Sequence, residues 1–196
     1  MRALLAVALV GLVAGATSAV GSAQGVADLF GKVATTVVVV QAETADGTVG
    51  EVGSGVVVSS DGRIMTAAHV IQGASAIKVQ FLGGKTVAAR VLASEQAADL
   101  GLLQLEPVPP GLEAAKLANS DTVRVGEQVV AVGAPYGLGH ALSVGWISAR
   151  WAPGTVYRAI PLTEFFQTDA SINTGNSGGP LFNLGGEVGS GVVVSS

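Results

Sequence analysis

The chain has 196 residues, 49% of them hydrophobic and 12% charged, with 28 glycines and no cysteine. This composition excludes a disordered charged tail, and with it go disulfides, thiolate chemistry and Cys-ligated zinc. A net charge of −4 gives nucleic-acid binding no electrostatic support, and two histidines offer no His-rich metal centre.

Met1-Arg2 is followed by an apolar run, Ala3–Ala16, and then by small residues from Thr17 to Ala23 before the polar Gln24. One positive charge, a run of that length and small residues at its end predict a secretory signal over residues 1–23, cut after Ala19 or Ala23. The alternative is a retained anchor, but the run of 14 residues falls short of the ~20 that span a bilayer. On either reading the body of the chain is exported, and only an uncleaved signal would touch a membrane. An exported chain without cysteine must draw its stability from its core.

Short β-type runs punctuated by Gly, Asp and Pro follow. Thr35–Gln41 and Gly53–Ser59 are rich in valine, and Asp61-Gly62 turns the chain into Arg63–Thr66. Ile77–Leu82 and Thr86–Ala93 flank the Gly83-Gly84 hairpin signal, and Leu100–Leu105 closes the first half. Glu106–Gly111 carries three prolines and continues neither strand nor helix, so a linker is expected over 107–115. The same pattern resumes in Gln128–Gly133, Leu142–Ala149, Phe165–Thr168 and Leu181–Asn183. Only Val26–Val33 suggests a turn or two of helix. The expectation is an all-β protein in two halves, 24–106 and 116–196.

Residues Gly50–Ser60 and Gly186–Ser196 are the same eleven residues, GEVGSGVVVSS. Two copies with unrelated flanks do not make a solenoid. The string reads instead as a duplication, an assembly accident or a truncation, with Val192–Val194 able to pair as an edge strand.

Covalent chemistry without cysteine or metal must run through Ser, Thr or Lys with a base, and histidine is the side chain suited to that task near neutral pH. His69 lies in the small apolar run Ile64–Ile71, where an imidazole is either a satisfied core residue or a catalytic base. His140 follows Ala134-Pro135-Tyr136-Gly137 and reads as a solvated loop residue. Asp99 opens the apolar strand Leu100–Leu105, where an unpaired carboxylate would be costly, so it needs a hydrogen-bond partner such as a histidine N–H. Gly175-Asn176-Ser177-Gly178-Gly179-Pro180 is either a plain glycine turn or a loop that aims amide N–H groups beside a serine hydroxyl. It also fits G-x-S-x-G, the elbow of the α/β-hydrolases. That fold needs an acid and a histidine after the serine, and no histidine follows His140. The order left is His, Asp, Ser.

Together, Thr66–His69 (TAAH), the strand opened by Asp99 and GNSGGP at Gly175–Pro180 resemble the trypsin-like serine proteases. GSGVVVSSDGRIMTAAHVI, AADLGLLQL, VGAPYGL and TDASINTGNSGGPLFN bring the resemblance closer to the HtrA/Deg branch, from about Gly53 to Asn183. The resemblance implies a double β-barrel of two six-stranded barrels, with His69 and Asp99 from the first and Ser177 from the second. It further implies a catalytic triad of His69, Asp99 and Ser177, with the N–H groups of Gly175 and Ser177 as oxyanion donors. Asn176 stands where digestive relatives carry an aspartate that pairs with a new N-terminal ammonium, so activation by clipping is not expected. Ser171, followed by Ile172, stands six residues before Ser177, where the family places the base of the substrate pocket. With no acid there, the expected preference is for small or medium aliphatic residues at P1. Asp169 is expected to be structural.

The implied function is an exported, cofactor-free serine endopeptidase that cuts unfolded or misfolded polypeptides and forms a homo-oligomer. Nineteen residues follow Ser177 (196 − 177), the last eleven of them the copied string. The second barrel is therefore expected to be incomplete and without a PDZ domain. The alternative of another class is a truncated, inactive protease fragment that at most binds polypeptide.

Overall fold

The computed structural model describes residues 18–134, 139–156 and 160–189, with side chains from Gly25 onward. The chain opens with a helix, α1 (Ser18–Val33), followed by β1 (Val37–Glu43), β2 (Val49–Ser59) and β3 (Arg63–Thr66). A single helical turn, α2 (Ala68–Ile71), precedes β4 (Ala76–Phe81), β5 (Thr86–Glu95) and β6 (Leu100–Glu106). The second half contains β7 (Lys116–Leu117), β8 (Gln128–Gly133), β9 (Ala141–Trp151), β10 (Phe165–Thr168), β11 (Leu181–Asn183) and β12 (Glu187–Val188).

Strands β1 to β6 form a closed antiparallel barrel in the order β1-β2-β3-β6-β5-β4, with β4 returning to β1. Successive strand residues face opposite sides. In β1, Val38 and Val40 point into the barrel beside Val57, Ile64, Val79, Leu103 and Leu105. Val37 points the other way, with Val56, into a second core shared with Val130, Val132 and Phe182 of the other half. Both faces of β1 are buried, which is why it reads as an unbroken valine run rather than as an alternation. The turns fall where the glycines demand left-handed backbone, at Gly62 (φ 93°) and at Gly83 and Gly84 (φ 90° and 88°).

The second half is a six-stranded sheet, β10-β9-β8-β11-β12-β7, antiparallel except where β12 runs parallel to β7. Among the described residues it stays open rather than closing into a barrel. One face carries Val129, Ala131, Ile147, Ala170 and Leu181 as its own core. The other face meets the first barrel.

The sequence expectation of a turn or two at Val26–Val33 is too short. Helix α1 has 16 residues, because Leu29 and Val33, one turn apart, bury themselves against the shared core of the two halves. Tertiary packing outweighs the glycines at 21, 25 and 31 that weaken the helix in isolation. The apolar run of the expected signal, Ala3–Ala16, lies outside the described residues, and both expected cleavage positions fall within α1. Among the described residues, no helix is long and apolar enough to cross a membrane. The repeated string behaves differently in its two places. Its first copy is strand β2 with the turn that follows, paired to β1, whereas Glu187–Val188 of the second pair with β11 and β7. The expected edge strand at Val192–Val194 lies outside the described residues.

Candidate active site

Asp99 ends the turn between β5 and β6, and it is the one non-glycine residue with positive φ (49°) among the described residues. Asp tolerates this left-handed conformation better than most residues. Its own N–H donates to Gln96 O at 3.1 Å, closing the turn, while its carbonyl accepts Ala68 N–H at 3.1 Å. The side chain is buried, at 5% residue exposure, yet both carboxylate oxygens are used. Oδ1 accepts the backbone N–H of His69 at 2.9 Å, and Oδ2 lies 2.7 Å from His69 Nδ1. The cost of burying a carboxylate is thus met by two strong bonds to a single residue.

His69 sits in α2, the turn missed in the sequence because Ala67–Ile71 carries no helical signal beyond small apolar residues. The turn is required by this grip. It presents the His69 N–H and ring together to Asp99 while Val70 and Ile71 stay in the barrel core. With Nδ1 engaged, Nε2 is the nitrogen left to handle a proton, and the side chain is 38% exposed.

Ser177 comes from the loop between β10 and β11, which lies against the His69 segment. Its carbonyl accepts Ser54 N–H at 2.7 Å. A Cβ on Gly53 would sit 2.6 Å from Val70 Cγ2 and 2.9 Å from Ser177 O, so the residue beside His69 and the backbone of Ser177 flank one glycine. Gly178 (φ 80°) presses on Ser54 O, on Thr66 Oγ1 and on Ala67 N, the last 2.6 Å from where its Cβ would lie. Only a glycine lets the two halves approach this closely. Among the described residues, Asn176 N–H donates to Asn173 O and Gly179 N–H to Asn176 O, whereas the N–H groups of Gly175 and Ser177 have no protein acceptor. Gly175 is left-handed at φ 95°.

The remaining expected positions spread around this loop. Ser171 is exposed, and its carbonyl accepts the Ser143 hydroxyl at 2.8 Å. Ile172 is half-buried and packs on the second sheet's own core. Asn176 Oδ1 is buried against Gly133 without a partner among the described residues. Asp169 accepts Trp146 N–H at 2.7 Å, tying the strand before the loop to β9. His140 departs from expectation. It is half-buried just before β9, not a solvated loop residue, with Nε2 2.7 Å from Val37 O of the first barrel. Sequence reasoning missed Ser54, which meets the 175–177 backbone from inside the joint. Its only signal was its place between the glycines of GSG.

Residues 53–195 match the trypsin-like peptidase domain. The chain belongs to the trypsin-like peptidase family. Among its relatives, the probable periplasmic serine endoprotease DegP-like of Halomonas elongata is 43% identical over 138 residues, covering 69% of this chain and 28% of that protein. The periplasmic serine endoprotease DegP of Escherichia coli K12 is 42% identical over 137 residues, with the same shares. Of the solved structures, the HtrA-type protease AlgW with tripeptide aligns at TM-score 0.75 and 31% identity, over 83% of this chain and 52% of that one. The serine endoprotease from Yersinia pestis aligns at TM-score 0.70 and 34% identity, over 83% and 54%. The trypsin-like peptidase chain thus spans 28% of the length of those curated relatives.

Proposed function

We propose that this chain is an exported serine endopeptidase of the HtrA/Deg type, working through His69, Asp99 and Ser177 on unfolded or misfolded polypeptides. The observation that carries the reading is the two-point hold of buried Asp99 on His69, at 2.9 and 2.7 Å. A carboxylate so placed fixes the imidazole tautomer with Nδ1 protonated and stabilises the imidazolium once it forms. Nε2 then accepts the Ser177 hydroxyl proton as Oγ attacks the scissile carbonyl. The same nitrogen later returns the proton to the leaving amine, and water repeats the cycle on the acyl-enzyme. The N–H groups of Gly175 and Ser177 receive the developing oxyanion, where the loss of one donor costs about 10²–10³ in turnover.

No acid stands at Ser171 or Ile172, and the apolar wall behind Ile172 suits a small or medium aliphatic P1 side chain. The periplasmic relatives and the apolar run after Arg2 support export, and the relatives support a polypeptide substrate. Neither cofactor nor metal has a part in this chemistry.

The test is hydrolysis of an unfolded polypeptide by the purified chain, with cleavage sites mapped by mass spectrometry. Cuts after Val, Ala, Ile or Leu that disappear in Ser177→Ala and in His69→Ala are expected, with both variants folded. Cleavage that persists in either variant would overturn the triad. A folded wild-type chain that binds the polypeptide without cutting it would leave only the binding function.

A further inference from the structure

Ser54 lies in β2, fully buried at 0% exposure, and plays no part in the reaction scheme above. Its hydroxyl donates to Gly175 O at 2.7 Å and accepts Ala134 N–H, from the end of β8, at 2.9 Å. Its backbone N–H donates to Ser177 O at 2.7 Å, and its carbonyl accepts the Thr66 hydroxyl at 2.7 Å. All of its polar groups are therefore engaged. Two of them grip the loop on either side of residue 176, and Thr66 leads into the turn that carries His69.

We infer that Ser54 is a positioning residue for the oxyanion site, a cross-half clamp that sets the orientation of the peptides around Ser177. The N–H of Ser177 belongs to the peptide lying between the two carbonyls that Ser54 pins. Gly175, at φ 95°, has no Cβ to limit its rotation, so its carbonyl is held by an outside donor rather than by its own stereochemistry. The node must donate to one group and accept from another at a site closed to water, and a hydroxyl is the small side-chain group that does both. Alanine there leaves a buried carbonyl and a buried N–H unpaired, and the loop relieves this by turning its peptides. Any turn of the 176–177 peptide redirects an oxyanion donor. The clamp also makes the site conditional on the joint between halves, since Ser54 belongs to the barrel and Gly175, Ser177 and Ala134 do not.

This inference rests on Gly175 and Ser177 being the oxyanion donors. Its test pairs steady-state kinetics with amide relaxation measurements by NMR on the full chain, comparing wild type, Ser54→Ala and Thr36→Val. Thr36→Val also removes a buried hydroxyl bond, to Val33 O at 2.8 Å, but in the turn between α1 and β1. Ser54→Ala should lower kcat by roughly 10- to 100-fold with KM within about twofold, short of deleting a donor outright. It should also broaden the amides of Asn173–Gly179 by exchange. Thr36→Val should retain both kcat and sharp amides. Should Ser54→Ala fail to fold, Ser54→Cys, which keeps a weak donor, carries the same two readouts. Unchanged kcat with unbroadened amides in the Ser54 variant overturns the clamp, and so does an equal loss in Thr36→Val. If Ser177→Ala is as active as wild type, the catalytic reading fails instead, and the relaxation data, which need no turnover, still decide whether Ser54 holds the loop.

Discussion

At the scale of single residues, Asp99 combines two costly features, burial and left-handed backbone. A buried carboxylate at positive φ is unfavourable twice over, and it persists because the backbone N–H and the ring of His69 occupy both oxygens. Asp99→Asn keeps the shape but places an amide where an acceptor must face two N–H groups. It should lower kcat by roughly 10⁴, as tautomer control is lost, while circular dichroism remains that of wild type. A loss below tenfold would mean that Asp99 only supports the fold. Asp46, at the β1–β2 turn, is a contrasting case without catalytic meaning. The hydroxyls of Thr44 and Thr48 and the Thr48 N–H hold its carboxyl at about 2, below the ordinary 3.8. A folded-state value below the unfolded one stabilises the fold above pH 3.8, and that contribution fades as pH falls towards 2. In Asp46→Ala, the acid limb of stability between those values should be shallower in urea titrations than in wild type.

At the scale of elements, strand positions were largely legible because valine runs and glycine turns set them. Arg63–Thr66, Gln128–Gly133, Phe165–Thr168 and Leu181–Asn183 form strands with the boundaries the pattern predicts. Helix α2 was not legible, since three small or apolar residues and a histidine carry no period, and it presents His69 to a residue 30 positions away. The two-residue strands β7 and β12 were missed for the same reason: each depends on its pairing partner rather than on its own sequence. Of the site, His69, Asp99 and Ser177 could be singled out by chemistry and resemblance. Ser54 could not, because its importance comes from partners 80 and 121 residues distant. The close packing of the loop yields a further expectation. Gly178→Ala puts a methyl group onto Ser54 O and Thr66 Oγ1 at a φ of 80°, and should cost about 3 kcal/mol or more by adding overpacking to strain. Chemical denaturation measures this directly, and a cost under 1 kcal/mol would show that the loop yields.

At the scale of the whole molecule, the site lies at the joint of two unlike halves, and the joint has a core of its own. Val37 and Val56 of the barrel, Val130, Val132, Phe182 and Val188 of the sheet, and Leu29 and Val33 of α1 bury one another there. A second tie joins the loop before β10 to the turn of Asp99, with Leu162 N–H on Ala97 O at 3.2 Å and the Thr163 hydroxyl on Ala98 O at 3.0 Å. Helix α1 thus belongs to the core that joins the two halves. Leu29→Ala should destabilise the chain by about 2–5 kcal/mol, the usual range for a buried leucine. Its effect should appear in the unfolding of both halves together. Unfolding of one half alone would place α1 outside the shared core.

The central claim is that His69, Asp99 and Ser177 act as one unit at this joint. Fluorophosphonate labelling of the purified chain tests it most directly, because the reagent forms a bond only with a serine activated by its base and supported by oxyanion donors. The account predicts stoichiometric modification of Ser177 in wild type, none in Ser177→Ala, and strongly slowed labelling in His69→Ala and Asp99→Asn. A folded wild-type chain that takes up no label, or one labelled as fast without His69 as with it, would contradict the account.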